Sequence, residues 1–124
     1  MASKLSSKQL AKLAVLETFP ARFDTIHRLI EEMGTMRADE SQVRRLARTL
    51  DEMKAAAGSI GETGLVDTLG VMATLARRTG GLQTRVRGLR EGFGSLKINL
   101  EGAIRAATRE EDKDQVDEAD LPKS

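Results

Sequence analysis

Val43 to Leu65 reads VRRLARTLDEMKAAAGSIGETGL, and this stretch decides the fold. Val43, Leu46, Leu50, Met53, Ala57 and Ile60 recur at spacings of three and four, which makes one face of a helix apolar from end to end. Asp39 and Ser41 precede the stripe as acceptors for the free amides of a helix start. Gly58 and Gly61 weaken and then end the helix, and a second apolar series opens at Leu65. At about 100° per residue, Asp51 lies roughly 115° from the middle of the apolar face, on the side that carries Arg44, Arg48 and Ala55. Asp51 is therefore expected at a flanking or exposed position of a well-specified helix.

The same period repeats outward in both directions. Upstream, Ser7-Lys8-Gln9-Leu10 reads as the capped start of a short helix with Leu10, Leu13, Ala14 and Val15 turned inward. Pro20 disfavours helical geometry at Phe19 and opens a second helix, about Ala21 to Met36, with Phe23, Ile26, Ile30 and Met33 on its stripe and Phe19 extending it. Downstream, Leu65, Leu69, Met72 and Ala76 define a helix ended by Thr79-Gly80-Gly81. Leu82, Val86, Leu89, Phe93, Leu96, Leu100, Ala103 or Ile104, and Ala107 define a long last one. Gly88, Gly92 and Gly94 weaken it by about 1 kcal/mol each relative to Ala, which is compatible with a kink or with a close helix approach. Short links between amphipathic helices predict an all-α protein: an antiparallel up-down four-helix bundle preceded by an extra short N-terminal helix.

Composition agrees with that reading. A chain of 124 residues, 40% hydrophobic and 31% charged, suits one folded domain. Its apolar residues are mostly Leu, Ala, Met, Val and Ile, with three Phe and no Trp or Tyr, which favours helix-on-helix packing. The absence of Cys excludes disulfides, thiolate metal sites and cysteine nucleophiles. The polar start MASKLSSKQLAKLAVL and the lack of any run near ~18 apolar residues lead to the expectation of a cytoplasmic protein with no membrane contact. Seven acids against Arg109, Lys113 and Lys123 leave −4 on Arg109 to Ser124 and, within a total of +1, leave +5 on Met1 to Thr108. The expected division is thus a helical bundle over 1–108 and an acidic tail over 109–124, disordered from Gln115 onward.

Asp51-Glu52-Met53-Lys54-Ala55-Ala56-Ala57, followed by Gly58-Ser59-Ile60-Gly61 and Leu65, resembles the motif of the histidine-containing phosphotransfer (HPt) domains of bacterial multistep phosphorelays. That pattern is His-x-Leu-Lys-Gly-Ser-Ala, three residues, Gly, three residues and Leu. Lys54, Ala57, Gly61 and Leu65 match it outright, and Met53 matches in character. Ala55 and Ala56 stand for Gly and Ser and keep the site small. The resemblance covers roughly Leu16 to Thr108 and is strongest from Asp51 to Leu65. It departs at the phosphoacceptor position, where Asp51 replaces the histidine.

That departure changes the chemistry. A neutral imidazole attacks an aspartyl phosphate, whereas a helix-borne carboxylate starts out anionic and repels the phosphoryl group. Receiver aspartates overcome this with a Mg²⁺ site built from several acids and a lysine; Glu52 points about 100° further round the helix than Asp51. The resemblance therefore implies an HPt-like fold without phosphotransfer, catalytic residues, metal or other cofactor. Its implied partner is a receiver domain or a histidine kinase, docked on Arg44, Arg48, Asp51, Lys54, Ala55, Gly58 and Glu62. Such a module would inhibit, scaffold or localise signalling components. The alternatives are a structural or adaptor bundle using another surface, for which a homodimer is allowed, and a phosphotransfer protein with an unexpected acceptor. On the bland reading, Asp51 is a surface residue paired with Arg48 or Lys54.

Other candidates carry less. His27, the sole histidine, borders the Ile26 and Ile30 stripe on another helix and reads as a structural side chain rather than a displaced acceptor. One histidine without a cysteine or acid cluster makes no zinc site. Arg77, Arg78, Arg85, Arg87, Arg90, Lys97 and Arg105 lack interleaved aromatic residues, so they read as a solvated face and not as a nucleic-acid surface. Gly58, Gly61 and Gly64 follow no strand and precede no Gly-Lys-Ser/Thr, so they are helix punctuation rather than a phosphate loop.

Overall fold

The three-four apolar spacing resolves into five α-helices in a computed structural model that describes residues 5–109. These are α1 (Ser7–Leu16), α2 (Phe19–Gly34), α3 (Glu40–Ser59), α4 (Thr63–Arg77) and α5 (Leu82–Ala107). No strand occurs among the described residues. Of the acidic tail expected over 109–124, Arg109 is described, just beyond the end of α5, and residues 110–124 lie outside the described residues.

The helix starts follow from side-chain chemistry, with corrections to the expected caps. α1 is capped by Ser6, not Ser7: its hydroxyl accepts from the Gln9 N–H at 3.1 Å while Gln9 Oε1 accepts from the Ser6 N–H at 2.8 Å. Asp39 caps α3 in the same reciprocal way with Gln42. Ser41 is not an acceptor there; its hydroxyl donates to Asp39 Oδ1 at 2.8 Å. The Gln42 N–H, and then the Ser41 hydroxyl, hold the Asp39 carboxyl below its ordinary pKa. α2 begins at Phe19, two residues before the expected start, because Pro20 in the first turn needs no amide partner and has the φ a helix requires.

Two helix ends share one geometry. After α3, the Glu62 N–H donates to Ala57 O at 3.0 Å and the Gly61 N–H to Gly58 O at 3.1 Å, with Gly61 left-handed at φ 73°. After α2, the Arg37 N–H donates to Glu32 O at 2.7 Å and the Met36 N–H to Met33 O at 3.0 Å. Here the left-handed residue is Met36, at φ 61° and 77% exposed, so α2 stops short of the Met36 expected within it. A side chain in that conformation is strained, and this one is mostly left in water. Met36→Gly is therefore expected to stabilise the protein by about 0.5–1 kcal/mol, read as a higher denaturation midpoint.

Helices α2 to α5 pack in a closed ring, each against the next and α5 back against α2. Cross-helix contacts give the directions. Early α2 meets late α3 through Arg22 and Glu52, and late α2 meets early α3 through Glu32 and Gln42. Asp51 with Arg77, and Gly58 beside Val66, set α4 antiparallel to α3. Thr68 with Asn99, and Leu75 against Gly88, do the same for α4 and α5. Phe23 meets Phe93 while Gly34 lies by Val86, which closes the ring with α2 and α5 antiparallel. α1 packs on α5 and α3 and is tied to the last turn of α5, where Gln9 Nε2 donates to Ala107 O at 3.2 Å and Arg109 O at 2.8 Å.

Burial follows the predicted stripes, from Phe23, Ile26, Ile30 and Met33 through Leu46, Leu50, Met53 and Ala57 to the α4 and α5 series. Each large apolar side chain taken fully from water contributes about 1.5–3 kcal/mol. Val43 and Ile60, at the two ends of the α3 stripe, are half-buried. Leu10 and Ala14 are exposed, contrary to expectation, and Leu13 and Leu16 are the buried pair of α1. On the helix, Leu10 lies about 120° from Leu16 and Ala14 about 160°, so neither shares the covered side. Gly88, Gly92 and Gly94 of α5 divide. A Cβ on Gly88 would sit 2.7 Å from Leu75 Cδ1, and one on Gly92 would sit 2.7 Å from Met72 Cγ. Nothing lies within 4 Å of Gly94. Close approach to α4 accounts for the first two, and α5 runs unbroken past them.

Candidate functional site

The expected site residues ride on α3 and the turn after it. The buried stripe Leu46, Leu50, Met53 and Ala57 faces the ring, which leaves Arg44, Arg48, Lys54, Ala55 and Gly58 exposed and Asp51 half-buried at the α3–α4 edge. The placement of Asp51 is the expected one, but its partner is not. Neither Arg48 nor Lys54 pairs with it. Arg77, from the last turn of α4, donates through Nη1 to Asp51 Oδ1 at 3.3 Å and through Nη2 to Asp51 Oδ2. A planar guanidinium facing both oxygens of a carboxylate is the geometry this pair favours.

The Arg77 hydrogen bond, reinforced by the charges of Arg77 and Lys54, holds the Asp51 carboxyl below its ordinary pKa. The sign of the linkage follows. A carboxyl with a lowered folded pKa adds stability that is complete at neutral pH and is lost as the pH falls through and below the ordinary carboxylate range of about 4. Both side chains are about half exposed, Arg77 at 54% and Asp51 at 43%, so water screens the pair. Asp51→Ala is expected to move the melting midpoint at pH 7 by less than about 4 °C. It should also flatten slightly the loss of stability in acid, as a melting series from neutral pH downward would record. Collapse of the midpoint would mean that Asp51 supports the core.

The other expected residues separate along α3. Arg44 is paired with Glu40 at 3.3 Å, one turn back. Lys54 lies over α4, its Nζ 3.4 Å from where a Cβ on Gly70 would stand, beside a shallow hollow with Val66, Asp67, Gly70, Val71 and Thr74. Ala55 and Gly58 leave a small-residue surface next to it. Glu62 sits at the far end and is engaged by Lys12 of α1 at 3.1 Å. Sequence reasoning missed the α4 side of this face: Gly70, Val71 (61% exposed), Thr74 and Arg77. The signal was available, since the stripe Leu69, Met72 and Ala76 turns those positions away from the core.

His27 lies across the ring from Asp51, between α2 and α5. It is exposed and stacked on Phe93, with ring centroids 5.6 Å apart and planes at 29°, while Lys97 Nζ stands 5.1 Å from the Phe93 centroid. Beside it Arg90 grips Glu31 through two bonds of 2.9 Å, which hold the Glu31 carboxyl below its ordinary pKa. The basic series read as one solvated face is thus divided: Arg77 and Arg90 hold carboxylates on different sides, and Arg85 holds backbone carbonyls. Among the described residues no group of three His, Asp or Glu side chains is arranged to hold a metal ion, and no helix is long and apolar enough to cross a membrane. Comparisons with protein-family models, curated proteins and solved structures found no match to the chain.

Proposed function

We infer that the chain is a pseudo-HPt signalling module that binds a receiver domain or a histidine kinase without carrying phosphate, and so inhibits, scaffolds or localises its partner. The observation that carries this reading is the state of Asp51. At the motif's acceptor position stands a carboxylate that is anionic at neutral pH and has both oxygens turned to Arg77. Such a group is a poor phosphoryl acceptor, because its charge repels the incoming phosphate and its lone pairs are already engaged. The small surface at Ala55 and Gly58 beside it supports close approach by a partner, with Lys54 as a polar contact and Arg44, Arg48 and Glu62 at the edge. An all-helical bundle supports the fold that the resemblance implies.

The test is binding to isolated receiver domains, read by calorimetry, together with a phosphate-transfer assay on the same proteins. Wild type should bind and take up no label from a phosphorylated receiver or kinase. Ala55→Trp places a large ring on the small exposed patch and should weaken binding by about 2 kcal/mol, the scale of an interface hot spot, with the melting temperature nearly unchanged. If the natural partner binds this variant as tightly as wild type, it uses another surface and the chain is an adaptor bundle. Label mapped to His27 would instead make it a phosphotransfer protein with a displaced acceptor.

A further inference from the structure

Above Asp51, where α3 begins and α4 ends, lies an open groove of about 540 Å³, within the size range of small-ligand sites. Arg44, Arg48, Arg77, Arg78 and Arg85 line it, against two carboxylates, Glu40 and Asp51. Both carboxylates are committed, Glu40 to Arg44 and Asp51 to Arg77. Arg85 is committed too: its Nε donates to Leu75 O and its Nη2 to Ala76 O, each at 2.9 Å, which satisfies the end of α4 and fixes the turn that presents Arg77 and Arg78. Arg48 and Arg78 remain, exposed and without a carboxylate partner among the described residues.

An excess of guanidinium groups on a concave surface repels itself and focuses positive potential on whatever enters. Guanidinium forks match phosphate oxygens in pairs, and Arg44 and Arg77 line the same groove with their carboxylates. Thr79, whose hydroxyl can donate, also lines the groove. No aromatic side chain lines the groove, so nothing there stacks on a base or grips a ring. The recognition is for charge and oxygen geometry alone.

We propose that this groove binds a free phosphate anhydride or ester carrying several negative charges, held chiefly between Arg48 and Arg78. The proposal does not depend on receiver docking: Arg44 and Arg48 border both surfaces, but the groove needs Arg78 and not the Ala55 patch.

Isothermal titration of the full chain with inorganic tripolyphosphate tests it, at two salt concentrations. Saturable single-site binding is expected, weaker at the higher salt. The double variant Arg48→Ala/Arg78→Ala should bind about a hundredfold more weakly with its melting midpoint preserved, since each of the two charge-assisted contacts is worth about tenfold or more. A control of equal charge change away from the groove, Arg28→Ala/Arg105→Ala, should bind as wild type does. Unsaturable heats, a groove variant that binds as tightly as wild type, or equal losses in both double variants would each overturn the proposal. The last result would reduce the effect to net charge.

Discussion

Replacing Leu50 with Asp is expected to unfold the bundle. Leu50 is fully buried in the middle of α3, on the stripe with Leu46 and Met53, and no buried polar residue stands nearby to receive a carboxylate. An unpaired charge in that setting costs several kcal/mol, against a total stability of about 5–15 kcal/mol for a domain of this kind. Met53→Asp meets the same surroundings one turn on. Circular dichroism is the suitable measurement, because the chain has no Trp or Tyr for fluorescence. A Leu50→Asp protein that still melts cooperatively near the wild-type temperature would show that α3 turns a different face to the ring. Asp51→Ala, next in sequence, is the contrast: adjacent positions, about 100° apart on the helix, separate the core from the surface.

The second large effect concerns α5. Gly92→Leu should destabilise the protein by about 3 kcal/mol, the upper end of the usual range for overpacking. The obstacle is Met72 Cγ, near the root of a fully buried side chain, so it cannot swing aside as a chain end would. Two residues on, Gly94→Ala enters open space and should raise stability by up to about 1 kcal/mol through helix propensity alone. Urea denaturation of the two variants measures both signs. If Gly92→Leu were as stable as wild type, the tight α4–α5 approach would not exist in solution.

These glycines mark where the sequence could be read and where it could not. Gly92 and Gly94 look alike in sequence, because what separates them is the side chain on another helix. The α3 stripe was legible because periodicity needs only the helix itself: Leu46, Leu50, Met53 and Ala57 are buried as their spacing predicts. Short α1 was not, since ten residues define a stripe poorly and Leu10 fell off its end. At the site, exposure was legible and partnership was not. Asp51 was placed correctly by angle, while Arg77, 26 residues away, reaches it only after α4 has folded back along α3. The arginine groove was hidden for the same reason, since Arg48 and Arg78 come to line one groove only when α4 lies along α3.

The interior has one more consequence. Among the described residues no polar or charged side chain is buried. In the interior, then, the alignment of α4 and α5 is kept by interlocking shape, with Leu75 and Met72 as teeth and Gly88 and Gly92 as the notches that receive them, while Asn99 on Thr68 and Arg85 on the end of α4 hold it at the rim. Slide α5 by one turn, about 5.4 Å, in either direction. One tooth still finds a glycine, while the other meets Thr84 or Leu96. The pair of helices behaves as a keyed rack, with wrong settings excluded by steric overlap.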